Sequence, residues 1–206
     1  MDRKKTTAAT GGSSNPPGGG AGGSSKKPPP RVVTAVNRIK IISMGSGGSG
    51  KSCLIKRYCE DRFVNKYIAT IGVDYGVKPV QIEGNDVRVN FWDLSGHPEL
   101  FEIRNEFYRD AQGCLLVYDV TSRDSFSECD AWLAEAAKYG ANPSEMPITL
   151  CANKLDKKQR AVSEEEGVAF AQSRGLRYFE LSAQSGLNVA EMFDFLFTAV
   201  YKKTAN

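Results

Sequence analysis

The stretch "GSGGSGKS" at residues 45–52 decides the fold of this 206-residue chain. It matches the pattern Gly-x-x-x-x-Gly-Lys-Ser/Thr, in which glycines allow backbone amides to wrap a polyphosphate. A short apolar strand, "RIKIISMG" at 38–45, leads into it, and a predicted helix at 51–63 follows it. The helix N-terminus favours a bound anion. We therefore predict a phosphate-binding loop in which Lys51 reaches the β- and γ-phosphates and the Ser52 hydroxyl ligates Mg²⁺.

Strand and helix patterns alternate along the rest of the chain. Pro79 removes a backbone donor, which places the first strand after the loop at a sheet edge. The alternation predicts a three-layer α/β domain with a largely parallel sheet, spanning residues 37–203. The further predicted strands cover 76–82, 86–93, 113–119, 147–153 and 177–181, and the further helices cover 124–138, 163–173 and 187–203.

The two ends of the chain differ from this pattern. Residues 1–36 are rich in Gly, Ser and Pro, and we expect a disordered basic tail that serves as a flexible tether. A proline-rich ligand at "KKPPPR" (26–31) and a contact with an anionic surface are the alternatives. Residues 1–31 carry a net charge of +5 and the remainder carries −2, which gives the total of +3, so the remainder is nearly neutral. Residues 204–206 are expected to form a short C-terminal end.

The composition indicates an intracellular protein, in the cytoplasm or the nucleus. No apolar run approaches the roughly 18 residues of a membrane span. The five cysteines are scattered without a Cys-x-x-Cys pair, which disfavours a zinc site or a disulfide framework and favours free thiols in a reducing compartment. Asp2 stands where myristoylation needs glycine, and the last residues hold no cysteine, so we expect no lipid anchor.

Two tetrapeptides, each after a predicted strand, indicate which base the site would recognise. In "NKLD" (153–156), the Asp156 carboxylate can accept from both N1–H and the exocyclic amino group of guanine, a donor pair that adenine lacks. In "LSAQ" (181–184), the Ala183 amide can donate to guanine O6. Ligands of α/β sheets bind at this carboxyl edge of the strands. An adenine-specific phosphotransferase is the alternative that these residues disfavour.

With these motifs in order, the chain resembles a small GTPase of the Ras superfamily over residues 37–203. The segment "YIATIGVDYG" (67–76) is most similar to the Rab branch. The segments at 96–108 and 118–135 resemble the RJL family, Rab-like GTPases often fused to a J domain. The resemblance implies a P-loop GTPase fold with a mostly parallel six-stranded sheet, one antiparallel edge strand and helices on both faces. Because the only histidine precedes Pro-Glu rather than Pro-Asp, we expect no co-chaperone activity.

The resemblance also assigns roles to individual residues. Thr70 would be the second protein ligand of Mg²⁺ and would contact the γ-phosphate, Asp93 would hold the metal through water, and Phe63 would pack edge-on against guanine. Lys51, Gly96 and His97 are the expected catalytic residues, with the Gly96 amide on the γ-phosphate. The full set of expected GTP- or GDP-binding residues is Gly45, Ser46, Gly47, Gly48, Ser49, Gly50, Lys51, Ser52, Cys53, Phe63, Tyr67, Thr70, Gly96, Asn153, Lys154, Asp156, Ser182, Ala183 and Gln184.

His97, the only histidine in the chain, stands where most small GTPases have glutamine. Glutamine orients the attacking water by donating and accepting hydrogen bonds at once. Our main hypothesis is slow intrinsic hydrolysis, because a bulkier ring with a different reach misplaces this water. Two alternatives stay open: His97 substitutes competently with a dependence on pH, or it turns into solvent and has no effect.

The expected function is a molecular switch that uses Mg²⁺ with GTP or GDP. GTP and Mg²⁺ would order residues 64–72 and about 94–108, and loss of the γ-phosphate would release them. An effector protein would bind through residues 64–75 and 94–108. An exchange factor is a further candidate partner, and we expect a monomer without a nucleic-acid partner. The alternative is a scaffold that binds GTP without turning it over.

Overall fold

The structure is a computed structural model, and it describes residues 37–204. The predicted tail at 1–36 and residues 205–206 lie outside the described residues. The described part contains a six-stranded sheet with the strand order β2-β3-β1-β4-β5-β6. The strands are β1 (Asn37–Met44), β2 (Val73–Ile82), β3 (Asn85–Leu94), β4 (Gly113–Asp119), β5 (Ile148–Asn153) and β6 (Arg177–Glu180).

The sheet is parallel apart from β2, which confirms the predicted topology. Strand β1 pairs in parallel with both β3 and β4 at the centre, and β5 and β6 continue the parallel part. Strand β2 pairs antiparallel with β3 along its whole length and forms one edge. Pro79 lies in this edge strand opposite Arg88, as the missing donor predicts.

Helices cover both faces of the sheet. They are α1 (Lys51–Glu60), α2 (Phe101–Arg104), α3 (Arg123–Ser127), α4 (Cys129–Lys138), α5 (Glu164–Ser173) and α6 (Val189–Thr204). Side chains of β1 alternate between two buried clusters: Ile39 and Ile41 pack with α1 and α6, whereas Ile42 and Met44 pack with α4 and α5. Each face of the sheet therefore has its own core. No helix within residues 37–204 is long and apolar enough to cross a bilayer.

Three helix predictions differ from the structure. The first helix ends at Glu60 instead of residue 63, because Asp61 takes a left-handed conformation (φ 49°) and its N–H donates to the Arg57 carbonyl. The helix predicted at 124–138 is two helices, since Glu128 has a ψ of −8° that interrupts the helical path. Helix α6 begins at Val189 and includes Thr204, one residue beyond the predicted domain boundary.

Helix α2 was not predicted at all. It lies between two 3-10 turns, Pro98–Leu100 and Asn105–Phe107. These pieces are too short to give a sequence periodicity, because four residues make little more than one helical turn.

Candidate functional site

One cavity of about 340 Å³ lies at the carboxyl edge of the parallel strands, and it holds most of the predicted site residues. Its volume falls within the range of small-molecule sites. The predicted residues that line it are Gly47, Gly48, Gly50, Lys51, Ser52, Cys53, Phe63, Tyr67, Thr70, Gly96, His97, Asn153, Lys154, Asp156, Ala183 and Gln184. The lining residues that we did not predict are Lys56, Arg62, Val64, Asn65, Lys66, Ile68 and Lys157.

Five predicted residues do not line the cavity: Gly45, Ser46, Ser49, Asp93 and Ser182. Gly45 packs against β4, where a Cβ would stand 2.1 Å from the Val117 carbonyl oxygen. The Ser46 hydroxyl donates to the Glu128 carboxylate. The Ser49 hydroxyl is buried and has no hydrogen-bond partner among the described residues. Asp93 and Ser182 instead hold lining residues in place, as the next paragraphs describe.

The glycine-rich loop presents Lys51 at the floor of the cavity. Gly50 has a φ of 102°, a conformation that favours glycine, and a Cβ there would stand 2.2 Å from Nδ2 of Asn153. The Lys51 side chain is 6% exposed, and its Nζ donates to the carbonyls of Gly45 at 2.7 Å and Ser46 at 3.1 Å. Burial lowers the pKa of this amine to about 8. A bound anion would stabilise its charged form, so the loop suits a polyphosphate.

Three oxygen-bearing side chains from separate segments meet at one side of Lys51. Ser52 Oγ lies 3.0 Å from Thr70 Oγ1 and donates to the Asp93 carboxylate. Asp93 is buried and also accepts from Ser43 Oγ at 2.5 Å, and burial raises the pKa of its carboxyl group. Hydroxyl and carboxylate oxygens are the donors that Mg²⁺ prefers. The structure thus brings together the three predicted metal ligands, and their chemistry fits Mg²⁺.

The opposite end of the cavity is held by Asn153 at the end of β5. Its Nδ2 donates to the Ser49 carbonyl at 2.9 Å, and its Oδ1 accepts from the Ala183 N–H at 3.1 Å. Asn153 therefore joins the phosphate-binding loop to the loop after β6. Ser182 Oγ donates to Asp156 Oδ1 at 2.7 Å, so it orients that carboxylate and does not line the cavity itself.

Arg57 is a residue of this site that the sequence reasoning missed. Its Nε donates to the Ala183 carbonyl at 2.9 Å and its Nη2 donates to the Gln184 carbonyl at 2.7 Å. It fixes the loop after β6 from helix α1, which also carries Lys51. No sequence signal could reveal this contact, because it joins residues 126 and 127 positions apart.

His97 contacts two predicted phosphate-site residues. Its Nε2 lies 2.9 Å from the Tyr67 hydroxyl on the segment before β2. A Cβ at Gly47 would stand 3.4 Å from His97 Cε1 and Nε2, so the ring lies against the glycine-rich loop. The preceding residue, Gly96, also contacts this loop, since its carbonyl accepts from the Gly47 N–H at 3.2 Å. The ring therefore lies between Tyr67 and the glycine-rich loop.

The backbone of His97 is fixed by a buried network that we did not predict. Arg104 is 4% exposed, and its Nη1 donates to the His97 carbonyl at 2.7 Å. The same guanidinium donates twice to the Glu135 carboxylate, at 2.6 and 2.8 Å, and Tyr108 Oη donates to Glu135 at 2.7 Å. Burial, followed by these contacts with Glu135, raises the pKa of the Tyr108 hydroxyl. The network ties the segment after β3 to helix α4.

Comparison with known proteins gives the family of the chain. The sequence profile of the Ras family matches residues 40–202. The chain is 52% identical over 167 residues to DnaJ homolog subfamily C member 27 of Rattus norvegicus and of Gallus gallus, and 51% identical to that of Homo sapiens. Each alignment covers 79% of this chain and 61% of the relative, so the chain matches less than two thirds of these proteins.

These names are consistent with the predicted resemblance to Rab-like GTPases that carry a J domain. The profile match covers every strand except the first residues of β1, together with the phosphate-binding loop and the base-recognition motifs. The chain therefore belongs to the Ras family of small GTPases.

Proposed function

We propose that residues 37–204 form a GTP-binding switch with slow intrinsic GTP hydrolysis. Ras-family membership supports the GTP-binding switch in general. The observation that carries the proposal is a single cavity lined by Lys51, Ser52, Thr70, the base-recognition loops and His97, with Asp93 bonded to Ser52 behind the lining. Each part corresponds to one portion of a guanine nucleotide.

At the base end, Asp156 is the residue that would discriminate guanine from adenine. Its carboxylate lines the cavity and is oriented by Ser182. A bound base would enclose this carboxylate, and an enclosed acceptor that loses its donors is costly, so a base without the N1–H and amino pair would be rejected. Phe63 lines the same end and would contact the base edge-on.

At the phosphate end, Lys51 would pair with the β- and γ-phosphates, and the backbone amides of the loop would surround them. Ser52 and Thr70, with Asp93 through water, would hold Mg²⁺, which would neutralise part of the phosphate charge when bound. The Gly96 amide would contact the γ-phosphate. Hydrolysis breaks the bond between the γ-phosphorus and its bridging oxygen as water attacks from the opposite side.

His97 is the expected cause of the slow step. A glutamine amide has a donor and an acceptor on one short group, whereas the two imidazole nitrogens point in different directions. With Nε2 directed at Tyr67, this nitrogen is engaged by a protein hydroxyl. A water misplaced by about 1 Å can cost on the order of a hundredfold in rate.

Single-turnover release of phosphate from γ-labelled GTP with Mg²⁺ tests this proposal. We expect the unmodified chain to be slower than the intrinsic rate of an ordinary small GTPase, on the order of 10⁻⁴ per second. His97→Gln should be faster, and His97→Ala, which has no water-orienting group, should stay slow. Phosphate release from the unmodified chain at the ordinary rate would contradict the slow step. GTP that no variant converts to GDP would indicate a scaffold.

Nucleotide competition tests the base assignment separately. We expect GDP and GTP, but not ADP or ATP, to displace a fluorescent guanine nucleotide. Asp156→Ala should remove this preference, with a loss in guanine affinity and little change for adenine. A displacement by ATP comparable to that by GTP would overturn the guanine assignment.

We further propose that residues 64–75 and 94–108 form the surface that binds an effector and an exchange factor. Ile68, Ile71, Tyr75 and Ile103 in these segments expose large apolar side chains. Small GTPases in general use such partners.

The free thiols within the described residues support a reducing compartment such as the cytoplasm or the nucleus.

A further inference from the structure

We infer that Tyr67 is a positioning residue for His97, and this inference rests on the proposed function of the site. The Tyr67 hydroxyl holds the imidazole ring against the phosphate-binding loop and keeps Nε2 from orienting the attacking water. The pair of Tyr67 and His97 thereby joins the segments 64–75 and 94–108, which lie on either side of the γ-phosphate position.

The contact geometry is the first support. The hydroxyl lies 2.9 Å from Nε2, and either group can donate according to the tautomer of the ring. Tyr67 is 61% exposed, so its core packing is small and its polar contact with His97 is its main specific interaction in the site. Both residues line the cavity together with Thr70 and Gly96.

The second support is that the rest of His97 has little freedom. Its carbonyl accepts from the buried Arg104, and its N–H donates to Ser95 Oγ at 3.3 Å. A Cβ at Gly47 would stand 3.4 Å from the ring, so the glycine-rich loop bounds the ring on one side. With the backbone fixed, the Tyr67 hydroxyl is the contact that decides which way the side-chain nitrogens point.

Because the chain has one histidine, nuclear magnetic resonance can read this contact directly. The full chain labelled with ¹⁵N-histidine and bound to a non-hydrolysable GTP analogue and Mg²⁺ gives signals from a single imidazole. We expect Tyr67→Phe to shift the ¹⁵N resonance of Nε2 more than that of Nδ1. Tyr201→Phe is the matched control, since this tyrosine lies in α6, packs against the buried cluster under that helix and does not line the cavity.

Single-turnover hydrolysis supplies the second readout. We expect Tyr67→Phe to accelerate phosphate release about two- to tenfold, the range of one modest hydrogen bond. Tyr67→Phe added to His97→Gln should give no such acceleration, because the ring that Tyr67 holds is gone. Tyr201→Phe should leave the rate unchanged.

The two proposals fail in different ways. If His97→Gln is no faster than the unmodified chain, the slow-hydrolysis proposal is wrong whatever Tyr67 does. An Nε2 resonance that Tyr67→Phe leaves in place, together with an unchanged rate, overturns the positioning role even if His97→Gln is fast. Acceleration of the Tyr67→Phe/His97→Gln variant over His97→Gln would also overturn it, because Tyr67 would then act without His97.

Discussion

Lys51 shows how a side chain suited to an anionic ligand lowers the stability of the protein when no ligand is bound. Its amine is almost fully buried and contacts only carbonyl oxygens within the loop, so burial lowers its pKa from 10.5 to about 8. At neutral pH the charged form therefore costs the nucleotide-free protein free energy, on the order of 3 kcal/mol. A polyphosphate removes this cost.

We predict that Lys51→Met stabilises the nucleotide-free protein at pH 7 and abolishes tight nucleotide binding. The lowered pKa means that the unfolded chain holds more protons than the folded chain between pH 8 and 10.5, so the unmodified protein gains stability as pH rises through this range. Lys51→Met should lack this gain. Thermal unfolding without nucleotide at pH 7 and pH 10 checks both, and a melting temperature that falls in the variant at pH 7 would contradict the prediction.

The site residues were predictable where a motif requires a residue type at a fixed spacing. Lys51, Ser52, Asn153 and Asp156 are of this kind, and the structure places all four at the cavity. The contact between Tyr67 and His97 could not be predicted, because it depends on how two segments thirty residues apart meet in space.

At the level of elements, the junction between the segment after β3 and helix α4 rests on one buried ion pair. We predict that Arg104→Ala lowers the free energy of unfolding by about 3–5 kcal/mol, because it leaves the Glu135 carboxylate unpaired inside the protein. Arg123→Ala is the matched control: it breaks an Arg–Glu pair, with Glu166, that is solvent-exposed, and it should cost much less. Equal losses in denaturant unfolding would show that burial of the first pair does not matter.

Helix α5 begins with a capping box in which the acid, Glu166, has a lowered pKa. The Arg123 guanidinium, followed by the Ser163 backbone N–H, lowers the pKa of Glu166 to about 2. Its contribution to stability is therefore present above its ordinary pKa of 4.5 and is lost as pH falls toward 2. We predict that Arg123→Ala moves the Glu166 pKa upward in a carboxyl titration followed by nuclear magnetic resonance, whereas an unchanged pKa would assign the shift to the helix end alone.

The elements themselves divide into two groups by the strength of their local signal. Strands β4 and β5 are continuous apolar runs, and their predicted bounds agree with the structure within one residue. The break at Glu128 and the short helix α2 were missed. Apolar residues keep helical spacing on both sides of Glu128, so the pattern does not reveal a change in backbone direction.

At the scale of the whole molecule, burial separates the five cysteines into two classes. Cys114, Cys129 and Cys151 are buried, and burial raises the pKa of Cys129 and of Cys151 to about 12. We predict that a thiol reagent modifies only Cys53 and Cys59 in the folded protein at pH 7, and that bound nucleotide protects Cys53, which lines the cavity. Mass spectrometry of the labelled peptides measures this, with Cys59 as the internal control. Rapid labelling of Cys151 would contradict the prediction.

Pro79 has a consequence for how copies of the protein meet. Pairing with β3 continues without interruption at Lys78, Pro79 and Val80, so the missing N–H belongs to the outer side of β2. An extended segment that approached this free edge would find no donor at that point. Tyr75 and Val77 are exposed nearby, yet no regular ladder of backbone hydrogen bonds can extend the sheet past Pro79. This edge is therefore protected against edge-to-edge aggregation at high protein concentration.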